Sequence, residues 1–362
     1  MIEDVIVIDG VAHTYNLDRN NHASGRYSDA VSELVWGSCY PLSQQGYRVP
    51  RESFLRDWDI EETANMLFLE SNTDLAVHHV LELNAYKDGL VSYEKTRAIK
   101  ERWPDRFIVY AGVDPLRGKA ALEDLERQVE VLKPVGLKLY PSSWGADNVR
   151  GWHMDDPEVA FPFFEKAREL GLGTVAIHKA VPLGPIPMQH YKVDDIDRCA
   201  DAFPDLNFEI VHGGMAFIEE TAWQLARFPN VYVNIEILSA LAVTKPQAFL
   251  QAMAGLISAG GPVALDKIIW GTGCMAFHPQ PLLEAFWNDF AFPEELVNGH
   301  GLPRMDKEAK RKILGENFAR MIGFDLQKAK QRTVGDEFDK KRKETGGNAS
   351  PFSTTKVSGM VE

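Results

Sequence analysis

The chain has 362 residues, 45% of them hydrophobic and 25% charged, with a formal net charge of −13. That length suits a single α/β barrel with a large core. The acidic balance excludes nucleic acid and anionic membrane as partners, because their phosphates would be repelled, but it leaves a small anionic substrate open.

The chain opens on Met1-Ile2-Glu3-Asp4 with no basic leader segment, then enters the apolar run Val5-Ile6-Val7-Ile8, which suits a strand buried on both faces. Residues 14 to about 60 follow as a long polar and aromatic insertion carrying Tyr15, Arg26, Tyr27, Trp36, Tyr40 and Tyr47. Its aromatic content predicts an ordered lid over a pocket mouth. Further strands are predicted at Leu75–Val80, Phe107–Ala111, Gly136–Tyr140, Thr174–Ile177, Asn207–Val211, Val231–Ile235 and Lys267–Trp270. Amphipathic stretches between them, such as Lys119–Leu132, Glu158–Leu170 and Phe217–Phe228, are long enough for crossover helices. Eight such units predict a TIM-type (β/α)₈ barrel over residues 1–325, and no GxGxxG follows the first strand to suggest a dinucleotide site. From residue 326 to 362 the chain becomes highly charged and then rich in Gly, Ser and Thr. That composition reads as a solvated helix with a frayed tail, or as an arm toward a neighbouring copy in a homo-oligomer. No apolar run reaches transmembrane length. Cys39, Cys199 and Cys274 lie far apart without a CxxC pair, which gives neither a disulfide framework nor a cysteine zinc site. A reducing, cytoplasmic location is expected.

Three histidines carry the chemical signal. His13 follows the first strand, His178 ends Thr174-Val175-Ala176-Ile177, and His212 ends Phe208-Glu209-Ile210-Val211 before Gly213-Gly214. In a barrel the C-terminal strand ends converge, so three imidazoles there predict a shared reactive centre. Lys138 ends the fourth strand and Lys179 follows His178; a lysine so placed can meet a substrate carboxylate. Arg51 on the insertion can clamp a carboxylate, and Trp144, with Tyr140 and Trp270, suggests an aromatic wall. The pair His78-His79 lies within a strand, one side chain toward the core and one toward the helices, and receives no role.

These stretches, taken with Trp103-Pro104-Asp105-Arg106, Gly112-Val113-Asp114-Pro115, Gly136-Leu137-Lys138-Leu139-Tyr140-Pro141, Val211-His212-Gly213-Gly214, Ile269-Trp270-Gly271-Thr272 and Gly315-Glu316-Asn317, resemble the amidohydrolase-2 group of the amidohydrolase superfamily in content and order. The resemblance spans residues 1 to about 325. It implies metal ligands at His13 and His178, with His212 beside them, and one divalent ion, zinc or manganese. It also implies a ligand at the position of Val11 and an aspartate after the eighth strand, where this chain has Gly271-Thr272-Gly273. Two imidazoles fall short of the three protein ligands usual for catalytic zinc.

Three readings stay open: a metal held with substitute ligands among Glu236, His278 and His212; acid–base chemistry without metal, carried by His13, His178, His212 and Glu236; or an inactive relative, a non-catalytic partner subunit or a variant at position 273. The first reading leaves a gap at Gly273 that an aspartate would fill, raising metal affinity. The resemblance implies a small carboxylated, cyclic or aromatic substrate, hydrolysed by metal- or histidine-activated water with His212, Glu236 and Lys138 as catalytic groups. Non-oxidative decarboxylation is the alternative.

Overall fold

A computed structural model describes residue 2 and residues 4–23, 25–145 and 148–356. Eight parallel strands form the barrel: β1 (Ile8–Ala12), β2 (Leu75–His79), β3 (Phe107–Gly112), β4 (Gly136–Leu139), β5 (Thr174–His178), β6 (Asn207–Val211), β7 (Val231–Asn234) and β8 (Ile268–Ile269). They are hydrogen-bonded in chain order. The ring closes where Gly10 N donates to Trp270 O at 2.9 Å and Gly273 N donates to Val11 O at 3.0 Å. All eight predicted strands are present. The first is displaced toward the C-terminus and shares only Ile8 with the expected run, because Asp9 anchors it: its carboxylate accepts from Thr272 N (2.9 Å), from the Thr272 hydroxyl and from Val11 N (3.2 Å). The helix Lys119–Leu132 has its predicted bounds, and Phe161–Glu169 and Ile218–Arg227 lie within theirs. An antiparallel hairpin, Ser142–Trp144 with Val149–Gly151, interrupts the passage from β4 to β5.

The insertion after β1 is ordered on either side of Ser24, which lies outside the described residues, and contains an 18-residue helix, Gly25–Leu42. The charged C-terminal segment is neither a free helix nor an outstretched arm. Phe338 packs against Phe68 (5.2 Å between ring centroids) and Trp103 (6.0 Å). Arg106, just before β3, makes a two-point ion pair with Asp336 at 2.6 and 3.0 Å. These contacts fold the segment back across the end of its own barrel where the strands begin. Residues 357–362 of the extension lie outside the described residues.

Candidate active site

At the opposite end, where the strands finish, a small chamber of about 60 Å³ is lined by His13, His178, His212, Glu236, Tyr15 and Tyr140 among others. Leu34, Val35, Ser38 and Cys39 of the helix Gly25–Leu42 form one wall. The three strand-end histidines therefore share one cavity, and β7 delivers Glu236 to it two residues past its end. Asn234 holds the Glu236 backbone by accepting from Glu236 N at 3.0 Å.

The turns that present these groups carry uncommon backbone geometry. Ala180 (φ +62°), His212 (φ +68°) and Ile237 (φ +64°) each adopt positive φ, next to or at a chamber residue. For a β-branched residue such as Ile237 this conformation is strained, and such strain concentrates at functional sites. The turn after β6 also needs Gly213, where a Cβ would stand 1.7 Å from Val233 Cγ2.

The imidazoles are bonded to one another. His212 Nε2 lies 2.8 Å from His178 Nδ1, and His178 Nε2 lies 2.6 Å from the carbonyl oxygen of Val181. His212 Nδ1 in turn touches Glu236 Oε2. Burial holds His178, His212 and His13 well below the usual histidine range, with neighbouring His and Lys138 charges adding to it, so all three are neutral at physiological pH. Burial pushes the Glu236 carboxyl up to about 8 against the opposing pull of Lys138, so it is protonated at neutral pH. Nδ1 of His13 and Nδ1 of His212 are each buried without a hydrogen-bond partner; His13 differs in that its other ring nitrogen also hydrogen-bonds to no described residue.

Beneath the chamber runs a polar layer inside the barrel. Glu209 accepts from Tyr110 Oη at 3.1 Å and Asn234 Nδ2 at 2.7 Å. Lys138 is fully buried, and burial lowers it to about 8 while Glu209 and Glu236 pull it back up. Its ammonium makes no hydrogen bond or ion pair with a described residue and lies 5.2 Å from the Tyr140 ring centroid. Sequence reading passed over Glu209 and His79. The available signal was alternation: His79 stacks on Tyr110 inside the barrel at 4.9 Å, 5.5 Å from His13, while His78 points outward between Thr96 and Thr14 at 3.1 Å each.

Besides Lys138 and Trp270, four sequence candidates stand outside the chamber lining. Lys179 turns to the opposite side from His178, as adjacent strand residues do, and its ammonium bonds Asp195 at 2.7 Å and His190 O at 2.9 Å. Arg51 is paired with Glu33 on the exposed surface, which uses its guanidinium (3.0 Å for Nε). Trp144 packs edge-on to Tyr140 at 6.4 Å, behind the wall. His278 is enclosed with Glu70 (Nε2 to Oε2 3.2 Å) and accepts from Gln280 N through Nδ1, so neither nitrogen is open to an ion beside His13.

The residues present do not fit a divalent metal. His178 spends both nitrogens on His212 and Val181, and His212 spends Nε2 on His178 while its Nδ1 is closed off by contact with the Glu236 carboxyl. Among the described residues no three His, Cys, Asp or Glu side chains converge to hold an ion. The expected gap at Gly273 is also filled: a Cβ there would stand 2.0 Å from Glu236 Oε1, so the β7 carboxyl occupies that space. An aspartate at position 273 would collide with Glu236 rather than complete a metal site, which corrects the expectation from sequence.

No curated protein sequence matches the chain. Among solved structures, an uncharacterised TIM-barrel protein from Bordetella bronchiseptica is 19% identical, with 88% of this chain and 99% of that one covered and a TM-score of 0.58. A 5-carboxyvanillate decarboxylase from Novosphingobium aromaticivorans with bound manganese is 13% identical (89% and 98% covered, TM-score 0.57). A 2,6-dihydroxybenzoate decarboxylase from Rhizobium is 16% identical (88% and 98% covered, TM-score 0.51). At these identities the likeness is one of fold. Residues 85–324 match the Amidohydro_2 amidohydrolase family profile, a span of more than half the sequence. The chain therefore belongs to the amidohydrolase family.

Proposed function

We propose that this chain is an acid–base enzyme that decarboxylates a small aromatic or cyclic carboxylate. The observation that carries the reading is the pairing, in one small and largely apolar chamber, of a protonated Glu236 with a neutral, unpartnered His13. Non-oxidative decarboxylation exchanges a C–CO₂⁻ bond for a C–H bond, so it needs one proton delivered to carbon and an environment that excludes water. Lys138 beneath the chamber offsets the substrate's negative charge through space. The decarboxylases of similar fold act on aromatic carboxylates, which supports the same substrate class here. The chamber is smaller than the few hundred Å³ of ordinary ligand sites, so the helix Gly25–Leu42 must swing outward for entry.

Hydrolysis is the second reading, favoured by the same neutral imidazoles, which can activate a water. Incubating the protein with a panel of hydroxylated benzoates and cyclic amides or lactones separates the two. Release of CO₂ with an intact ring supports decarboxylation. Ring or acyl cleavage without CO₂ supports hydrolysis and overturns the first reading, as does failure of every carboxylate in the panel.

A further inference from the structure

Residues 349–356 run along the helix Ile60–Phe68, from its C-terminal end to its first turn. Ala349 N donates to Leu69 O at 2.9 Å, and Lys356 N donates to Glu62 Oε1 at 2.6 Å. Between these two points Glu70, a buried carboxylate, accepts from Phe352 N at 2.8 Å, from Thr354 N at 3.2 Å and from the Thr354 hydroxyl at 2.6 Å. Phe352 holds φ +55°, a left-handed conformation that a bulky residue keeps only where its surroundings fix it. Its ring packs on His278 at 5.2 Å, and the Tyr47 ring packs on the same imidazole at 4.9 Å. Tyr47 belongs to the loop that follows the helix Gly25–Leu42. That loop is tied to the end of the helix: Ser43 N donates to Cys39 O at 2.9 Å, Arg48 Nε to Ser43 O at 3.1 Å, and Trp36 Nε1 to Val49 O at 3.2 Å.

The two halves of the helix Gly25–Leu42 are thus held by different parts of the chain. Its N-terminal half is bonded to the segment after β2, through Ser32 Oγ with Tyr86 Oη at 2.8 Å and Ser28 Oγ with Ala85 O. Its C-terminal half carries Leu34, Val35, Ser38 and Cys39, the residues that line the chamber. We infer that residues 349–356 are a strap that holds this C-terminal half against the chamber. Docked, the strap fixes Tyr47 through His278, and it fixes the far end of the insertion through Glu62, which is paired with Arg56 at 2.7 and 2.8 Å. Released, it lets the chamber-lining half lift about the half bonded to Ala85 and Tyr86. The clasp suits reversible use, because most of its contacts are polar. Glu70 and the N–H groups of the strap exchange one another for water on release, and Phe352 alone gives up an apolar seat. The strap rests on the outward swing of this helix proposed above and is independent of which bond the enzyme breaks.

Cysteine labelling of the full chain reads the motion without substrate. Cys39 reports the chamber-lining half, and Cys199, buried on the helix Ile196–Ala202, reports general loosening. Phe352→Ala and Thr354→Val should each speed the reaction of Cys39 with a thiol reagent, and together by about tenfold, with Cys199 unchanged. Phe352→Leu and Thr354→Ser, which keep the apolar seat and the hydroxyl, should retain the slow rate. Should the double variant fail to fold by circular dichroism, the single Thr354→Val variant carries the test. A Cys39 rate within about twofold of the parent, or Cys39 and Cys199 accelerating together, would overturn the strap. Protection of Cys39 in the parent by a bound aromatic carboxylate tests the swing of the helix itself, and CO₂ release tests the reaction, so the three fail separately.

Discussion

Replacing Gly273 by alanine sets a methyl group against the Glu236 carboxyl, and the structure allows the cost to be worked out. The Gly273 backbone has φ +69°, a conformation that costs an L-residue about 1–2 kcal/mol. Its Cβ would stand 2.0 Å from Glu236 Oε1, 2.9 Å from Cδ and 3.2 Å from Cγ, so the carboxyl has to leave. Once it leaves, the buried carboxyl loses its polar contact with His212 Nδ1, worth about 1–3 kcal/mol. Together, Gly273→Ala should lose about 2–5 kcal/mol in a urea denaturation series. In the double variant Gly273→Ala/Glu236→Ala the collision is gone. It should therefore be less destabilised than the sum of the two single variants, a coupling that only neighbouring side chains show. A Gly273→Ala protein within about 0.5 kcal/mol of the parent, or strictly additive variants, would mean that Glu236 does not occupy this space.

Glu236→Gln and His13→Gln should each lower turnover by about 10²–10⁴-fold while leaving the fold intact by circular dichroism, the usual scale for a lost proton-transfer group; an unchanged rate in both would remove the acid–base reading. Glu236 also links stability to pH. Its folded value is raised, so between pH 6.5 and 8 the folded state keeps a proton that the unfolded chain has released, and stability must fall as pH rises through that window. Thermal melts should show this decline in the parent and a shallower one in Glu236→Gln; equal slopes would count against a protonated Glu236. Calorimetric titration with zinc or manganese should give no stoichiometric site that His178→Gln abolishes, and finding one would refute the misfit argued above. Cys39, buried in the chamber wall, should react slowly with a thiol reagent and more slowly still with a bound aromatic carboxylate. No protection by any such ligand would argue against an opening helix Gly25–Leu42.

The eight strands were legible because each is a short run of apolar, often β-branched residues, and a barrel buries both faces of its sheet. The positions of His13, His178 and His212 followed at once, since a residue that ends a barrel strand is carried to the shared rim whatever its neighbours are. Lys138 and Glu236 were recognisable by the same rule. Lys179 and Arg51 were not separable from them, because sequence does not say whether a charged side chain will find Asp195 or Glu33 before it meets a substrate. The charged C-terminal segment misled for a related reason: the contacts that dock it, Phe338 on Phe68, Asp336 with Arg106 and Phe352 on His278 among them, join residues far apart in the sequence, the first two more than 200 residues apart.

What the sequence by itself determined is therefore the barrel, the end at which these histidines gather, and the absence of a carboxylate at position 273. What only the tertiary structure decided is how that absence is made good. Glycine at 273 reads as a missing group when strands are taken one at a time. In the folded chain its lack of a Cβ is the space into which the neighbouring strand sends Glu236, and the imidazoles that would face an ion bond to each other and lie against this acid. Hydrogen-bond direction and side-chain volume are properties of groups brought together across strands, and no spacing along one strand encodes them.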